Sequence, residues 1–118
     1  MVPDPIELTL VVEPRRLSMS GRDAFRVGFV ATNRGSATVD PGLSELRLFI
    51  DGRDSLHWAD AIANGHRDAH WFALPPDKAV SMRWLGMGKL LFPVPGDYSL
   101  ALHRGDRDTP PVVVQVVA

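Results

Sequence analysis

The chain has 118 residues and a formal net charge of -1, from 13 basic and 14 acidic side chains. This length suits one domain with a substantial core, and a hydrophobic content of 45% argues against disorder. The charge balance lacks the basic surplus expected of a protein that binds nucleic acid or an anionic membrane. The absence of cysteine excludes disulfides, thiol nucleophiles and cysteine-based metal centres.

The chain also lacks an apolar run of the roughly 20 residues that a membrane helix needs, so no membrane insertion is expected. No signal peptide leads the sequence. The compartment therefore stays open between a cytoplasmic location and, if the chain was trimmed to a mature form, a periplasmic or secreted one.

Short segments with alternating apolar and polar residues recur along the chain, which is typical of half-buried strands. The clearest are residues 6–12, 24–33, 45–50, 79–84, 97–103 and 112–117, with shorter candidates at 16–20 and 69–74. Asp, Gly and Pro separate these segments and favour turns. Seven or eight short strands predict an all-β antiparallel sandwich that forms one domain over residues 1–118. The predicted core includes Phe29, Leu48, Trp84, Tyr98 and Leu100.

The dipeptide Asp51-Gly52 resembles a two-residue hairpin turn. That loop would place apolar Ile50 opposite polar Arg53, and the same conflict would repeat along the strand. Either a three-residue loop or departure of the chain from the sheet would avoid the conflict.

Departure from the sheet has the stronger local support. Ser55 is a favourable helix N-cap, residues 56–63 include three alanines, and Asn64-Gly65 supplies a stop. The sequence therefore predicts one short helix near residues 55–64, followed by the short strand at 69–74.

Three motifs resemble those of bacterial immunoglobulin-like domains. They are Thr32-Asn33-Arg34-Gly35 at the end of a strand, Leu74-Pro75-Pro76-Asp77 at a turn, and Pro95-Gly96-Asp97-Tyr98 at the start of another strand. The intracellular proteinase inhibitor family and the adhesion-type CARDB domains have similar motifs across most of the domain. This chain has Pro76-Asp77 where those families usually have Pro-Gly, and it lacks the aromatic-rich segment of the inhibitor family.

The resemblance implies an immunoglobulin-like sandwich but transfers no functional residue, because the motifs describe turns. It also suggests a role for Tyr98, since a tyrosine near the start of the penultimate strand of such sandwiches bonds back to upstream backbone.

Polar groups with catalytic or metal-binding potential cluster between residues 55 and 70. His57, His66 and His70 lie close in sequence to Asp60 and Asp68, and imidazole and carboxylate are common ligands of zinc. Their spacing matches no standard metal signature, so exposed histidines on an irregular connection are the preferred interpretation. Ser55, His57 and Asp60 suggest a catalytic triad, but no nucleophile-elbow motif accompanies them, and helix capping explains Ser55 better. We therefore expect no enzyme activity and no cofactor.

The same region contains two of the three tryptophans, Trp58 and Trp71. Together with Phe72, Leu91 and Phe92 they could form an exposed apolar patch, which usually marks a partner site. The alternative is a structural lid that packs over one end of the sandwich. The candidate partner surface consists of His57, Trp58, Asp60, His66, Arg67, His70, Trp71 and Phe72.

The leading functional prediction is a non-enzymatic module that binds another protein. Two alternatives stay open: a proteinase inhibitor that acts through a projecting loop, and a module that binds carbohydrate or metal.

Overall fold

Alternating apolar residues place one face of each long strand in the core, and the strand boundaries follow the turn residues. A computed structural model describes residues 4–64, 69–105 and 107–118. Within these residues the strands are β1 (Ile6–Glu13), β2 (Arg16–Ser18), β3 (Arg26–Asn33), β4 (Arg47–Ile50), β5 (Arg53–Asp54), β6 (Ala79–Leu85), β7 (Gly96–Arg104), β8 (Arg107–Asp108) and β9 (Val112–Val117). The helices are α1 (Leu56–Asn64) and α2 (Gly88–Leu91), with 3₁₀ turns at Met19–Ala24, Leu43–Glu45 and Ala69–Trp71.

The described strands form two sheets, which confirms a mainly β protein with few helices. The first sheet has the order β1-β3-β6, and the second has the order β2-β9-β7-β4-β5 with β8 beside β7. Pairing is antiparallel except between β2 and β9. The chain passes from the first sheet to the second between β1 and β2, where the Glu13–Pro14 peptide bond is cis.

The core lies where the apolar faces of both sheets meet. Phe29 from the first sheet and Leu48 and Leu100 from the second are fully buried, as predicted. Trp84 and Tyr98 were predicted in the core, and both are half-buried and pack against it.

Helix α1 contributes a large aromatic side chain to this core. The ring centroid of Trp58 lies 6.3 Å from that of Phe29 and 4.9 Å from that of Trp84, and its Nε1 donates to Leu46 O at 3.1 Å. The ring of Trp71 meets Phe29 edge-on at 5.9 Å. Three tryptophans therefore surround one phenylalanine, and α1 is held against both sheets.

The predicted helix after residue 55 is confirmed. Ser55 O accepts from Ala59 N, and Ser55 Oγ accepts from Trp58 N at 3.3 Å. The side chain thus satisfies one of the free amides of the first turn, which is the role expected of a serine N-cap.

The argument against a two-residue hairpin at Asp51-Gly52 is wrong. Ile50 does pair with Arg53, and the turn residues have positive φ values of 51° for Asp51 and 82° for Gly52. The expected conflict is avoided because β5 has only two residues, both exposed at the sheet edge, before Ser55 starts the helix. The chain therefore has both the hairpin and the helix.

The prediction of a strand at residues 69–74 is also wrong. Both Phe72 N and Ala73 N donate to Ala69 O, so the segment coils locally, and only Leu74 forms a bridge, to Val39. Coiling turns Trp71 into the core, where burial of its large ring favours this arrangement over an extended strand.

The predicted edge strand at 16–20 and the start of the strand at 24–33 need smaller corrections. β2 ends at Ser18 because Ser18 Oγ accepts from Gly21 N at 3.1 Å and caps the 3₁₀ turn of residues 19–24. β3 consequently begins at Arg26.

Candidate functional site

An open groove of about 770 Å³ lies where the β4–β5 hairpin, the start of α1 and the segment around α2 meet. We call it the hairpin–helix groove. Its lining residues come from three places in the sequence: Ile50, Asp51, Arg53 and Asp54; Ser55, Leu56 and His57; and Leu90, Leu91, Pro93 and Tyr98.

The hairpin wall is fixed to the neighbouring strand β7 through its turn. Asp51 N donates to Ser99 O at 2.8 Å, and Asp51 Oδ1 accepts from Ser99 N at 2.9 Å. These bonds extend the ladder between β4 and β7 by one residue beyond Ile50, although the backbone has begun to turn. The position of the wall is therefore set by the sheet.

The helical wall presents an apolar side chain to solvent. Leu56 is 71% exposed, whereas Trp58, two residues later, is fully buried. Two residues correspond to about 200° of rotation around an α-helix, so Leu56 points away from the face that Trp58 packs into the core. Burial of Trp58 therefore holds Leu56 at the groove.

The third wall is held by contacts at the base of α2. Arg22 donates to Phe92 O at 2.9 Å, and a Cβ at Gly88 would lie only 2.5 Å from Arg22 O. Leu91 is buried by this close packing, and its neighbour Leu90 stays 54% exposed. The predicted exposure of Leu91 and Phe92 in an apolar patch is wrong for this reason.

Tyr98 has the bond that the sequence predicts for it. Its hydroxyl donates to Val94 O at 2.6 Å, which ties the segment after α2 to the start of β7. The phenol ring lies beside that of Phe92, with 4.7 Å between the ring centroids, and the side chain lines the groove.

The charged side chains that line the groove differ in whether they have a partner. Asp54 pairs with Arg47 at 2.8 Å, and the Asp51 carboxylate accepts from Ser99. Arg53 is exposed, and no carboxylate of the described residues lies within ion-pair distance of it. An aliphatic groove with a free guanidinium at its rim can bind an apolar side chain that has a carboxylate nearby.

Of the described residues in the partner surface predicted from the sequence, some are buried and others are exposed. Trp58 and Trp71 are buried, so their side chains cannot belong to a surface. His57 and Asp60 are exposed on α1, and His57 lines the groove. His70 is half-buried and Phe72 is 51% exposed after the turn at Ala69–Trp71.

The remaining two residues of that surface, His66 and Arg67, lie outside the described residues, as does Asp68. Across the ranges 4–64, 69–105 and 107–118, no three His, Asp or Glu side chains are close enough to hold a metal ion. The burial of Trp58 and Trp71 also removes two of the rings on which a sugar could stack.

A cluster of charges lies elsewhere, around the Asp4–Arg104 ion pair. Arg104 Nε also donates to Pro41 O at 2.5 Å, and Asp4 Oδ1 accepts from Ile6 N at 3.0 Å. Burial raises the pKa of Asp4, but the hydrogen bonds that its carboxylate accepts from Arg104 and Ile6 N, together with the charges of Arg104 and Arg107, outweigh it and hold the pKa below its ordinary value of 3.8. The pair joins the chain start to the end of β7 and the loop at Pro41.

The sequence predicted a functional surface within residues 56–72, but Leu56, Leu90 and Arg53 were not among the residues named for it. One signal was present for Leu56, an apolar residue on the side of α1 opposite Trp58 and Ile62. Leu90 gave no comparable signal, because its run Leu90-Leu91-Phe92 does not reveal which side chain is outward.

No family model and no curated protein matches the chain. Among the helices of the described ranges, none is long and apolar enough to cross a membrane.

Proposed function

We propose that this protein is a non-enzymatic, immunoglobulin-like module that binds a segment of another protein in the hairpin–helix groove. The observation that carries the proposal is the concentration of exposed aliphatic side chains, Leu56 and Leu90, in a concave site with a polar rim. A concave site that combines exposed aliphatic side chains with a few polar groups is a common form of binding site. Protein interfaces likewise combine apolar and polar side chains.

The strand order supports the immunoglobulin-like part of the proposal. β1, β3 and β6 take the places of strands A, B and E, and β4, β7 and β9 take those of C, F and G. The hydrogen bond from Tyr98 to Val94 O, just before β7, corresponds to the tyrosine corner of such sandwiches. Helix α1 occupies the connection where strand D would otherwise lie.

The chemistry of the groove indicates what its partner presents. Leu56 and Leu90 would cover an aliphatic side chain, and the free guanidinium of Arg53 would pair with a carboxylate close to it in the partner. We therefore commit to a partner segment with an aliphatic residue next to an acidic one. The hydroxyl of Ser55 caps α1 by accepting from Trp58 N, and helix capping accounts for this groove residue without a catalytic role.

Selection from a random peptide library displayed on phage tests this function. The account predicts enrichment of peptides with an aliphatic residue beside Asp or Glu. Arg53→Glu should weaken binding of a selected peptide about fivefold or more at low salt, and less at high salt because ions screen the pairing.

Arg16→Glu is the matched control, because Arg16 is also exposed and lies in β2, outside the groove. It should leave peptide affinity unchanged. The proposal fails if no peptide is enriched, if the enriched peptides lack an acidic residue, or if the two charge reversals have equal effects.

A further inference from the structure

Strand β6 is an open edge of the first sheet. Among the described strands it pairs with β3 alone, and the bonds Asn33 N to Lys78 O and Gly86 N to Phe25 O continue that ladder at its two ends. Hydrogen-bonded and non-hydrogen-bonded pairs alternate in an antiparallel ladder. The amides and carbonyls that face away from β3 therefore belong to Ala79, Ser81, Arg83 and Leu85.

These four residues are exposed, and Leu85 is 63% exposed. Within the part of the chain that the structure describes, no group hydrogen-bonds to their outward backbone atoms. A row of unpaired backbone groups of this length is a template for another strand.

The strand at the opposite edge of the same sheet, β1, is less accessible to a further strand. The bond from Arg34 N to Pro5 O shows that the groups facing its free side belong to Ile6, Leu8, Leu10 and Val12. All but Leu8 are at most 8% exposed, and Ile6 N is already bonded to Asp4. Among the described long strands of this sheet, β6 therefore offers the accessible edge.

We propose that β6 pairs antiparallel with β6 of a second copy of this chain, around a twofold axis at Met82. This register places Ala79 opposite Leu85 and Ser81 opposite Arg83, so every outward-facing backbone group meets an outward-facing group of the other copy. If each such pair exchanges two hydrogen bonds, about eight form across the axis. Two three-stranded sheets become one continuous sheet.

Charge selects this register. Arg83 is the single charged residue of β6, and here it faces Ser81 of the second copy. An axis at Arg83 would set two like charges opposite each other, which is destabilising. An axis at Ser81 would set Leu85 opposite Asp77, which lies outside β6 in left-handed backbone and cannot continue the ladder. The Met82 register avoids both faults and covers the exposed Leu85 side chain.

A charge pair at one position tests the register directly. Ser81→Glu places a carboxylate opposite Arg83 of the other copy and should lower the dimer Kd, whereas Ser81→Lys places two cations together and should raise it. Two such pairs form in each dimer, so each shift should be about 2- to 30-fold. Sedimentation equilibrium over a range of protein concentrations measures the Kd values.

Ser81→Pro provides a second, independent test. Because the Ser81 amide faces away from β3, proline removes a bond to the second copy without removing one within the sheet. It should therefore abolish the dimer. If circular dichroism shows that this variant does not fold, the Glu and Lys variants decide the question.

Amide hydrogen exchange locates the contact. In concentrated solution, the amides of Ser81 and Arg83 should exchange more slowly than in dilute solution, and those of Leu8 and Leu10, which face the free side of β1, should not change. A wild-type chain that stays monomeric at millimolar concentration would overturn the proposal. So would a dimer whose Kd shifts in the same direction for Ser81→Glu and Ser81→Lys.

Discussion

Asp51 and Ser99 exchange two hydrogen bonds, one from each backbone amide, at 2.8 and 2.9 Å. One acceptor is the Ser99 carbonyl, and the other is the Asp51 side chain, which substitutes for a backbone carbonyl that the turn has moved away. The left-handed backbone of Asp51, with φ at 51°, makes this possible. Asp51 thus fixes the hairpin wall of the groove to the second sheet.

Asp51→Ala should destabilise the protein by about 1–3 kcal/mol, because it removes a hydrogen-bond acceptor and leaves a non-glycine residue in left-handed backbone. Asp51→Asn is the matched control, since asparagine retains the acceptor oxygen and tolerates this backbone. Urea unfolding measures both values. Equal losses for the two variants would show that the side-chain bond to Ser99 contributes nothing.

The side chain of Asn33 links three segments inside the core. Its Nδ2 donates to Ala37 O and Leu74 O, each at 2.8 Å, and its Oδ1 accepts from Gly35 N. Asn33→Asp should cost about 2–4 kcal/mol, because it replaces a donor by an acceptor that faces the carbonyls of Ala37 and Leu74, and the contact with Leu74 is buried. Asp77→Asn, at an exposed position, should change the free energy of unfolding by less than about 0.5 kcal/mol. A similar small change at Asn33 would contradict this account.

The Asp4–Arg104 pair predicts a pH dependence of stability with a definite sign. The pKa of Asp4 is lower in the folded protein than its ordinary value of 3.8. The ionised carboxylate therefore adds stability above pH 3.8, and this contribution is lost as the pH falls through the folded-state pKa. Asp4→Asn should be less stable than wild type at pH 7, and the difference should disappear in acid.

Urea unfolding at a series of pH values measures this difference. Glu7→Gln serves as the control, because the Glu7–Arg34 pair is more than half exposed and such surface pairs contribute little. A gap between wild type and Asp4→Asn that is constant with pH would contradict the assignment.

Local patterns in the sequence identify the parts of the fold that depend on local physics. Period-2 alternation predicts β1 and β3 because each strand has one buried face, and Ser55 predicts the start of α1 because its hydroxyl can cap the first turn. The segment at 69–74 could not be predicted in this way. Its coiling depends on Phe29, a distant residue that accepts the ring of Trp71.

Local sequence patterns could not predict the groove either, and the physical reason is related. Its walls come from residues 50–57 and 90–98, which only the second sheet and α2 bring together. Through His57, the sequence did predict that the start of α1 belongs to the site. The one signal that Trp58 faces inward and Leu56 outward is Ile62, which lies four residues after Trp58 and shares its side of α1.

The most direct test of the groove compares Leu56→Asp with Phe72→Asp. Both replace an exposed apolar residue by aspartate, but Leu56 lines the groove and Phe72 does not. For a peptide selected from the displayed library, Leu56→Asp should raise the Kd about tenfold or more, because it replaces an apolar contact by a charge that repels the carboxylate of the peptide. Phe72→Asp should leave the Kd unchanged. Weaker binding by Phe72→Asp alone would contradict the account and place the partner on the surface near His70.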